Sequence, residues 1–560
     1  MLPLIVQYLT ILLVPFVVAD GQQYLHSTNL APKRVAVIGE IGLSCFNQKK
    51  KKKKKKHSMV NIDTGAGSAG SSTAYYLRQL AETARIPTEI TVFERESYIG
   101  GRSTTVDVFG NPSYPVELGA SIFVHENTNL VNATRDLGLK IKGVSSSTQK
   151  SQKSEDDADS LGIWDGSQFV YSIKNSFNWW EIGKIVWRYG LSPFKAQGAM
   201  KDTIQKFKEM YQAPIFPFQS LTDAVEKTGL LNTMASPGAD FLRKNGVSDD
   251  FAREIIQSST RVNYGQNLPL IHGVETMVCL AAEGSMSIQG GNWQIFEGMV
   301  AESGANLRLN TSVTSIERNT NRTVTLKTDK SGNKNNIPDD ASLTFDEVVI
   351  AGPLQYSGLS ISPPLESTPD EIPYVKLHVT LFASPHLLSP KYFGLDANSR
   401  APNTVLTTLP KDVDLGSSRA GVGPAGFWSI STLDTIISPS SSNDDGDENT
   451  SQNQYVYKIF SPERVTATFM SEILGLEPPT DSSTNGTIVD LPKEDITWFY
   501  EKIWNPYPFE YPRVTFQDPI LAPNVWYTSG IESFISTMET SSLMGRNVAT
   551  LIVDEWRSKH

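Results

Sequence analysis

The sequence predicts an α/β protein: a nucleotide-binding parallel sheet with helices on its faces, joined to a second, α+β lobe. Three observations carry this reading. Arg34 to Ile38 (RVAVI) is a short apolar, β-branched run that reads as a buried strand and ends at Gly39. Gly65 to Leu80 (GAGSAGSSTAYYLRQL) is a glycine-rich turn running into a helix, with Ala74, Tyr75, Leu77 and Leu80 at apolar spacing. Glu89 to Phe93 (EITVF) is a second strand, followed at once by Glu94.

The glycines have separate duties. The first makes the sharp turn out of the strand, Gly67 lets backbone approach a pyrophosphate, and Gly70 lets the helix pack on the strand. The pyrophosphate then sits on free N–H groups at the positive end of the helix. Glu94 stands where an acidic residue accepts a ribose hydroxyl. The bland alternative is an ordinary strand–helix–strand turn.

The fingerprint is interrupted. Between Gly39 and Gly65 lies a segment with eight consecutive lysines, Lys49 to Lys56. Excising Glu40 to Gly65 joins Gly39 to Ala66 and restores RVAVIG-AGSAGSSTAYYL without a gap. Gly39-Glu40-Ile41 can be encoded with a splice donor and Thr64-Gly65 with an acceptor, so the segment reads as a retained intron. On that reading Gly39 and Gly65 are one split codon competing for the first-glycine role, and only the shortened chain retains its cofactor well. A nuclear signal and a surface loop are the other readings.

Composition places the rest. Net charge is −10. The segment from Glu40 to Gly65 carries eight lysines against Glu40 and Asp63, a net of +6, so the remainder stands at −16. That acidity speaks against nucleic acid or an anionic membrane surface as a partner. Met1 to Ala19 reads as a signal peptide, with a signal anchor as the competing reading. Sequons at Asn132, Asn310, Asn321, Asn449 and Asn485 fit the secretory route. The localisation expected is vacuolar, lysosomal or secreted. Two cysteines, Cys45 and Cys279, allow no disulfide framework. Ser145 to Ser160 and Ser438 to Gln454 are polar, without apolar periodicity, and read as flexible connectors.

Further pieces follow in order. Gly100-Gly101-Arg102 offers a close backbone approach and a guanidinium for a phosphate or a ring edge. Val116 to Ser121 (VELGAS) comes next. Leu307 to Val313 and Phe345 to Pro353 read as strands returning to the nucleotide-binding sheet. Gly530, Glu539, Gly545 and Asn547 precede an apolar C-terminal helix, whose N-terminus can face a pyrimidine carbonyl. In this order the pieces resemble FAD-binding oxidases of the glutathione-reductase/amine-oxidase type. The stretches RVNYGQNLPLIHG (Arg261 to Gly273), IQGGNWQIFEGM (Ile288 to Met299) and GIESFISTMETSSLMGRNVA near the C-terminus are similar to the prenylcysteine oxidase, or farnesylcysteine lyase, family.

The resemblance implies FAD as cofactor, lipophilic prenylcysteine and dioxygen as partners, and cysteine, a prenyl aldehyde and hydrogen peroxide as products. The expected organisation is a signal peptide (1–19), an N-terminal FAD-binding part (34–144), a mainly helical prenyl-binding part (160–290), returning FAD-binding strands (291–355), a substrate domain (356–515, with a disordered loop at 438–454) and a C-terminal FAD-binding segment (516–560). The expected cofactor residues are Gly39, Gly65, Ala66, Gly67, Ala69, Gly70, Glu94, Gly101, Arg102, Val313 and Glu539. Tyr264, Gln266 and Trp293 are pocket candidates. Arg261 is a candidate for the substrate carboxylate, against a structural ion pair. No catalytic acid or base and no metal ligand is assigned; His125, His272, His378 and His386 read as structural. Phe177 to Met210, rich in aromatics and methionine, is the expected prenyl pocket, against a packed helix pair or a membrane-facing patch. An amine or polyamine oxidase, or a flavoprotein impaired by the insertion, are the alternative functions.

Overall fold

The structure of the chain, a computed structural model, describes residues 31–39, 65–143, 160–174, 179–330, 343–437 apart from 414, 417 and 420, 453–478 and 486–559. The leader, the lysine segment, Cys45, Asn449 and Asn485 lie outside the described residues.

Strand β1 (Lys33–Ile38) buries Val35, Ala36, Val37 and Ile38 completely, because it lies at the centre of a sheet covered on both faces. Val35 and Val37 face helix α1 (Ser68–Thr83) and the C-terminal helix Met538–Ser558, while Ala36 and Ile38 face a second sheet. Strand β2 (Thr88–Phe93) and the strand Glu347–Ile350 flank β1 in parallel. The full order is Ile520–Ala522, Val525–Tyr527, Glu347–Ile350, β1, β2, Asn306–Arg308. A four-stranded sheet of Leu343–Phe345, Val324–Lys330, Thr311–Arg318 and Ser360–Ser362 covers the face opposite the helices.

Leu307 to Val313 is not one strand. Asn306–Arg308 and Thr311–Arg318 belong to different sheets, and Asn310 makes the turn between them at φ 53°. The C-terminal helix is fastened at its far end by Trp556 Nε1, which donates to Glu347 Oε1 at 3.1 Å, beside Trp526 Nε1 on Oε2 at 2.9 Å.

The second lobe is built on a seven-stranded sheet. Its order is Trp498–Trp504, Leu377–Ser384, Asn453–Ser461, Ser429–Ile437, Thr404–Thr407, Ser160–Trp164, Phe169–Lys174. The region beginning at 160 therefore opens with two strands of this sheet, and its helices start at α3 (Trp179–Tyr189) and α4 (Ser192–Lys208). Ser160, Asn453 and Gln454, placed by sequence in polar connectors, are strand residues: the sheet ladder satisfies their backbone. Among the described residues no helix is long and apolar enough to cross a membrane.

Candidate functional site

The five parallel strands of the first sheet end on one side, and the turns that leave them there form the candidate site, as expected for an open α/β sheet. Gly65 stands directly beside Gly39. A Cβ built on Gly65 would lie 2.6 Å from Gly39 N and 1.9 Å from Phe93 O, so nothing larger than glycine fits. Gly65 thus occupies the first-glycine position of the turn, with Gly39 beside it at the end of β1. Gly70 is as tightly held, its Cβ position being 1.9 Å from Gly65 O.

Glu94 locks this loop. Its Oε2 accepts from Gly65 N and Ala66 N, both at 2.8 Å, and its Oε1 accepts from Glu96 N at 2.8 Å. Ala66 O accepts from Gly100 N at 2.9 Å, which sets the paired glycines against the loop. Gly100 and Gly101 both have positive φ, and Trp293 Cβ would lie 2.8 Å from a Cβ on Gly100. Helix α1 starts at Gly67 with extended backbone, no side-chain cap and no acid in its first turn. The N–H groups of Ala69 and Gly70 precede the first intrahelical bond, which Ser71 N makes to Gly67 O, and are left for an anion. A cradle that no Cβ could enter, ending on uncapped N–H groups, fits the pyrophosphate of FAD.

Two expected cofactor residues, Arg102 and Glu539, are engaged by partners within the protein. Arg102 forms a forked pair with Glu532 at 2.7 and 2.8 Å and donates to Pro506 O, because the nearly buried Glu532 carboxylate requires a cation. Glu539 accepts from Asn129 N and Leu130 N at 2.9 and 3.0 Å, capping helix α2 (Thr128–Asp136), and from Tyr211 Oη at 2.8 Å. Burial raises its carboxyl to about 7 against these donors. Val313 turns its side chain into the core between the two sheets.

The substrate-side candidates separate. Arg261 is fully buried and donates to Thr407 Oγ1 (3.0 Å), Asn267 Oδ1 (2.8 Å), Gly421 O (3.0 Å) and Val422 O (2.6 Å), with its guanidinium 4.8 Å from the Trp428 ring centre. It is neither a substrate clamp nor an ion pair: neutral acceptors hold it, and burial lowers its pKa to about 9. Gln266 ties Pro508 O and Glu510 N to Tyr264 O, so it is a strut. Tyr264 donates to Ser536 O at 2.9 Å, immediately before the C-terminal helix, and meets Tyr507 edge-on at 5.1 Å. Trp293 adjoins the glycine pair.

Two polar clusters, one half-buried and one buried, escaped the sequence. Glu117 Oε1 accepts from Asn292 N at 2.6 Å, and Lys458 Nζ donates to Glu117 O and Ser121 Oγ at 3.1 and 3.3 Å. Burial moves the carboxyl up to about 7 and the ammonium down to about 8. VELGAS and GGNW both marked this region, but Lys458 lay without a signal in a strand. The second cluster is His272, Glu275 and Glu510, whose ligand atoms lie within 4.8 Å of one another. His272 Nδ1 accepts from Glu275 N at 3.0 Å, so the neutral ring carries its proton on Nε2, facing Glu510 Oε2 at 3.4 Å. That tautomer offers a cation no nitrogen lone pair.

The family model for prenylcysteine lyase matches residues 173–560, and that for NAD(P)-binding Rossmann-like domains matches 64–137. Farnesylcysteine lyase of Arabidopsis thaliana is 27% identical over 513 residues, and prenylcysteine oxidase 1 of Homo sapiens 28% over 514; each alignment covers 88% of both chains. Among solved structures, cyclohexylamine oxidase from Brevibacterium oxydans superposes with a TM-score of 0.51 at 14% identity, covering 94% of this chain and 100% of that one. Putrescine oxidase bound to putrescine superposes equally well, at 14% identity over 94% and 99%. At such identity the likeness is one of fold.

Proposed function

Because the chain belongs to the prenylcysteine lyase family, we propose that it is an FAD-dependent thioether oxidase. Its substrates are farnesyl- and geranylgeranyl-cysteine from the degradation of prenylated proteins, and its products are cysteine, a prenyl aldehyde and hydrogen peroxide. The observation that carries this is the glycine cradle locked by Glu94, in a chain whose family match runs from residue 173 to 560.

The carbon beside sulfur in these substrates is also allylic, so loss of hydride leaves a cation stabilised from both sides. FAD, when bound, supplies the hydride acceptor and passes the electrons to dioxygen. Water then adds to the cation and the hemithioacetal collapses to aldehyde and thiol. The protein's own share is position and exclusion of water. Gly65, Gly67 and Gly70 with the α1 N-terminus hold the dinucleotide, and Glu94 keeps that loop in place. Peroxide release from farnesylcysteine, with free thiol in equal amount, tests the proposal. Peroxide from putrescine and none from farnesylcysteine would favour an amine oxidase.

The prenyl substrate is collected from a membrane surface by α3 and α4. Trp187, Leu191 and Phe194 are 92%, 62% and 55% exposed at this corner, with Lys184, Arg188 and Lys195 beside them. Apolar tips among cations suit an anionic lipid interface. Flotation with phosphatidylserine vesicles should be lost in a Trp187→Ser, Phe194→Ser variant; unchanged flotation would refute the role. The secretory route, ending in the vacuole, the lysosome or outside the cell, is supported by exposed sequons at Asn310 and Asn321. Asn132, half-buried within α2, is the less accessible acceptor. Glycosidase treatment of secreted protein, read by mass, tests the route.

A further inference from the structure

At the carboxyl ends of Glu347–Ile350 and Val525–Tyr527 lies a cavity of about 250 Å³, closed on its other side by residues 508–517. It falls below the roughly 300–1,000 Å³ of pockets that enclose a whole drug-sized ligand. Its walls carry both charges: Arg513, Asp370 and Glu532, with Ser529 and Ser533 between them. Glu532 is already engaged, by Arg102 and by Tyr374 Oη at 3.1 Å. Gln355, also in the wall, is spent on both backbone groups of Ile372. Arg513 differs, because its Nε is buried and has no hydrogen-bond partner. Asp370 is exposed at the mouth and, with Glu510 behind, favours the charged guanidinium against its burial.

We propose that this cavity receives the zwitterionic α-amino acid head of the substrate, the carboxylate on Arg513 and the ammonium on Asp370. The assignment rests on the thioether-oxidase reading above. A small polar chamber with one cation inside and one anion at its mouth matches a free amino acid in size and in charge order. An orphaned, buried N–H donor is costly unless a ligand acceptor meets it. The same walls reject a prenyl chain, which would leave Arg513 and Asp370 desolvated without partners.

The test uses the flavin-loaded full chain with farnesylcysteine, its methyl ester and its N-acetyl derivative. R513Q should raise KM for farnesylcysteine at least tenfold, with kcat, flavin content and turnover of the ester unchanged. D370N should raise KM for the free amine and leave the N-acetyl compound unaffected, and R513K should restore part of the loss. Equal losses on acid and ester, or loss of flavin from R513Q, would overturn the assignment, the latter by giving the cavity to the dinucleotide. If wild-type protein oxidises none of the three compounds, it is the oxidase reading that fails. Calorimetry with S-methylcysteine then decides the head site alone: binding at least tenfold weaker in R513Q supports it, and equal binding or none to wild type refutes it.

Discussion

Helix α1 and the C-terminal helix Met538–Ser558 pack side by side and begin at the same end, with Ser68 Oγ on Met538 O at 2.6 Å and Ser72 Oγ on Ser542 Oγ at 2.7 Å. Their first turns are treated in opposite ways. Helix α1 starts at a glycine with no side-chain cap and no nearby acid. The C-terminal helix starts with a reciprocal box between Thr537 and Thr540, and the acid of its first turn caps a third helix. A helix that receives an anion leaves its N–H groups unspent, whereas one that positions its neighbours spends them within the protein.

The glycine loop is the most sensitive point. Gly65→Ala forces a Cβ against backbone on both sides, and we expect flavin binding to fall at least a hundredfold while far-ultraviolet dichroism stays native; normal flavin absorbance would contradict the cradle. Gly545→Ala places a Cβ 2.4 Å from Ala69 O, where the two helices touch. It should cost about 1–3 kcal/mol in denaturant unfolding and weaken flavin retention too, because it moves α1. Thr537→Ala removes a cap and should cost about 1 kcal/mol with flavin affinity kept, which separates the two helix starts.

Glu539 sharpens the contrast through pH. Its folded pKa of about 7 is raised above the ordinary carboxyl value by burial, so its share of stability is complete below that ordinary value and is lost as pH rises through 7. Glu539→Gln should flatten the fall in melting temperature between the ordinary carboxyl pKa of 4.5 and about 7; an unchanged slope would remove Glu539 from the titration. The smallest effect is expected from excising Glu40 to Gly65. Gly65 already completes the turn, so the full and shortened chains should bind equal flavin, and a flavin-free full chain would restore the exclusive role of Gly39.

What the sequence made legible was whatever lies close along the chain. The strand before Gly39, the glycine loop, its helix and Glu94 form one local unit, and each residue's duty follows from turn geometry. Duties that depend on partners hundreds of positions away were misread or missed. Arg102 looked like a phosphate ligand because Glu532 lies 430 residues on, and Glu539 looked like a cofactor contact because its helix α2 partners lie about 410 residues back. Arg261 sits in a family-like block, yet Gly421 and Val422, which hold it, carry no pattern. Lys458 reads as one polar residue in an alternating strand until Glu117 and Ser121 are brought beneath it.

The strand order of the first sheet also has a consequence for how the chain is made. β1 pairs with β2 early, but its other edge waits for Glu347–Ile350, and that strand waits for Val525–Tyr527. At roughly 5–20 residues per second, synthesis from β2 to Val525 lasts on the order of 20–90 s. For that time a hydrophobic sheet edge stands open while the second lobe emerges. Newborn chains of this protein therefore carry that open edge until residue 525 has been made, and a stop codon before it leaves the edge permanently unpaired.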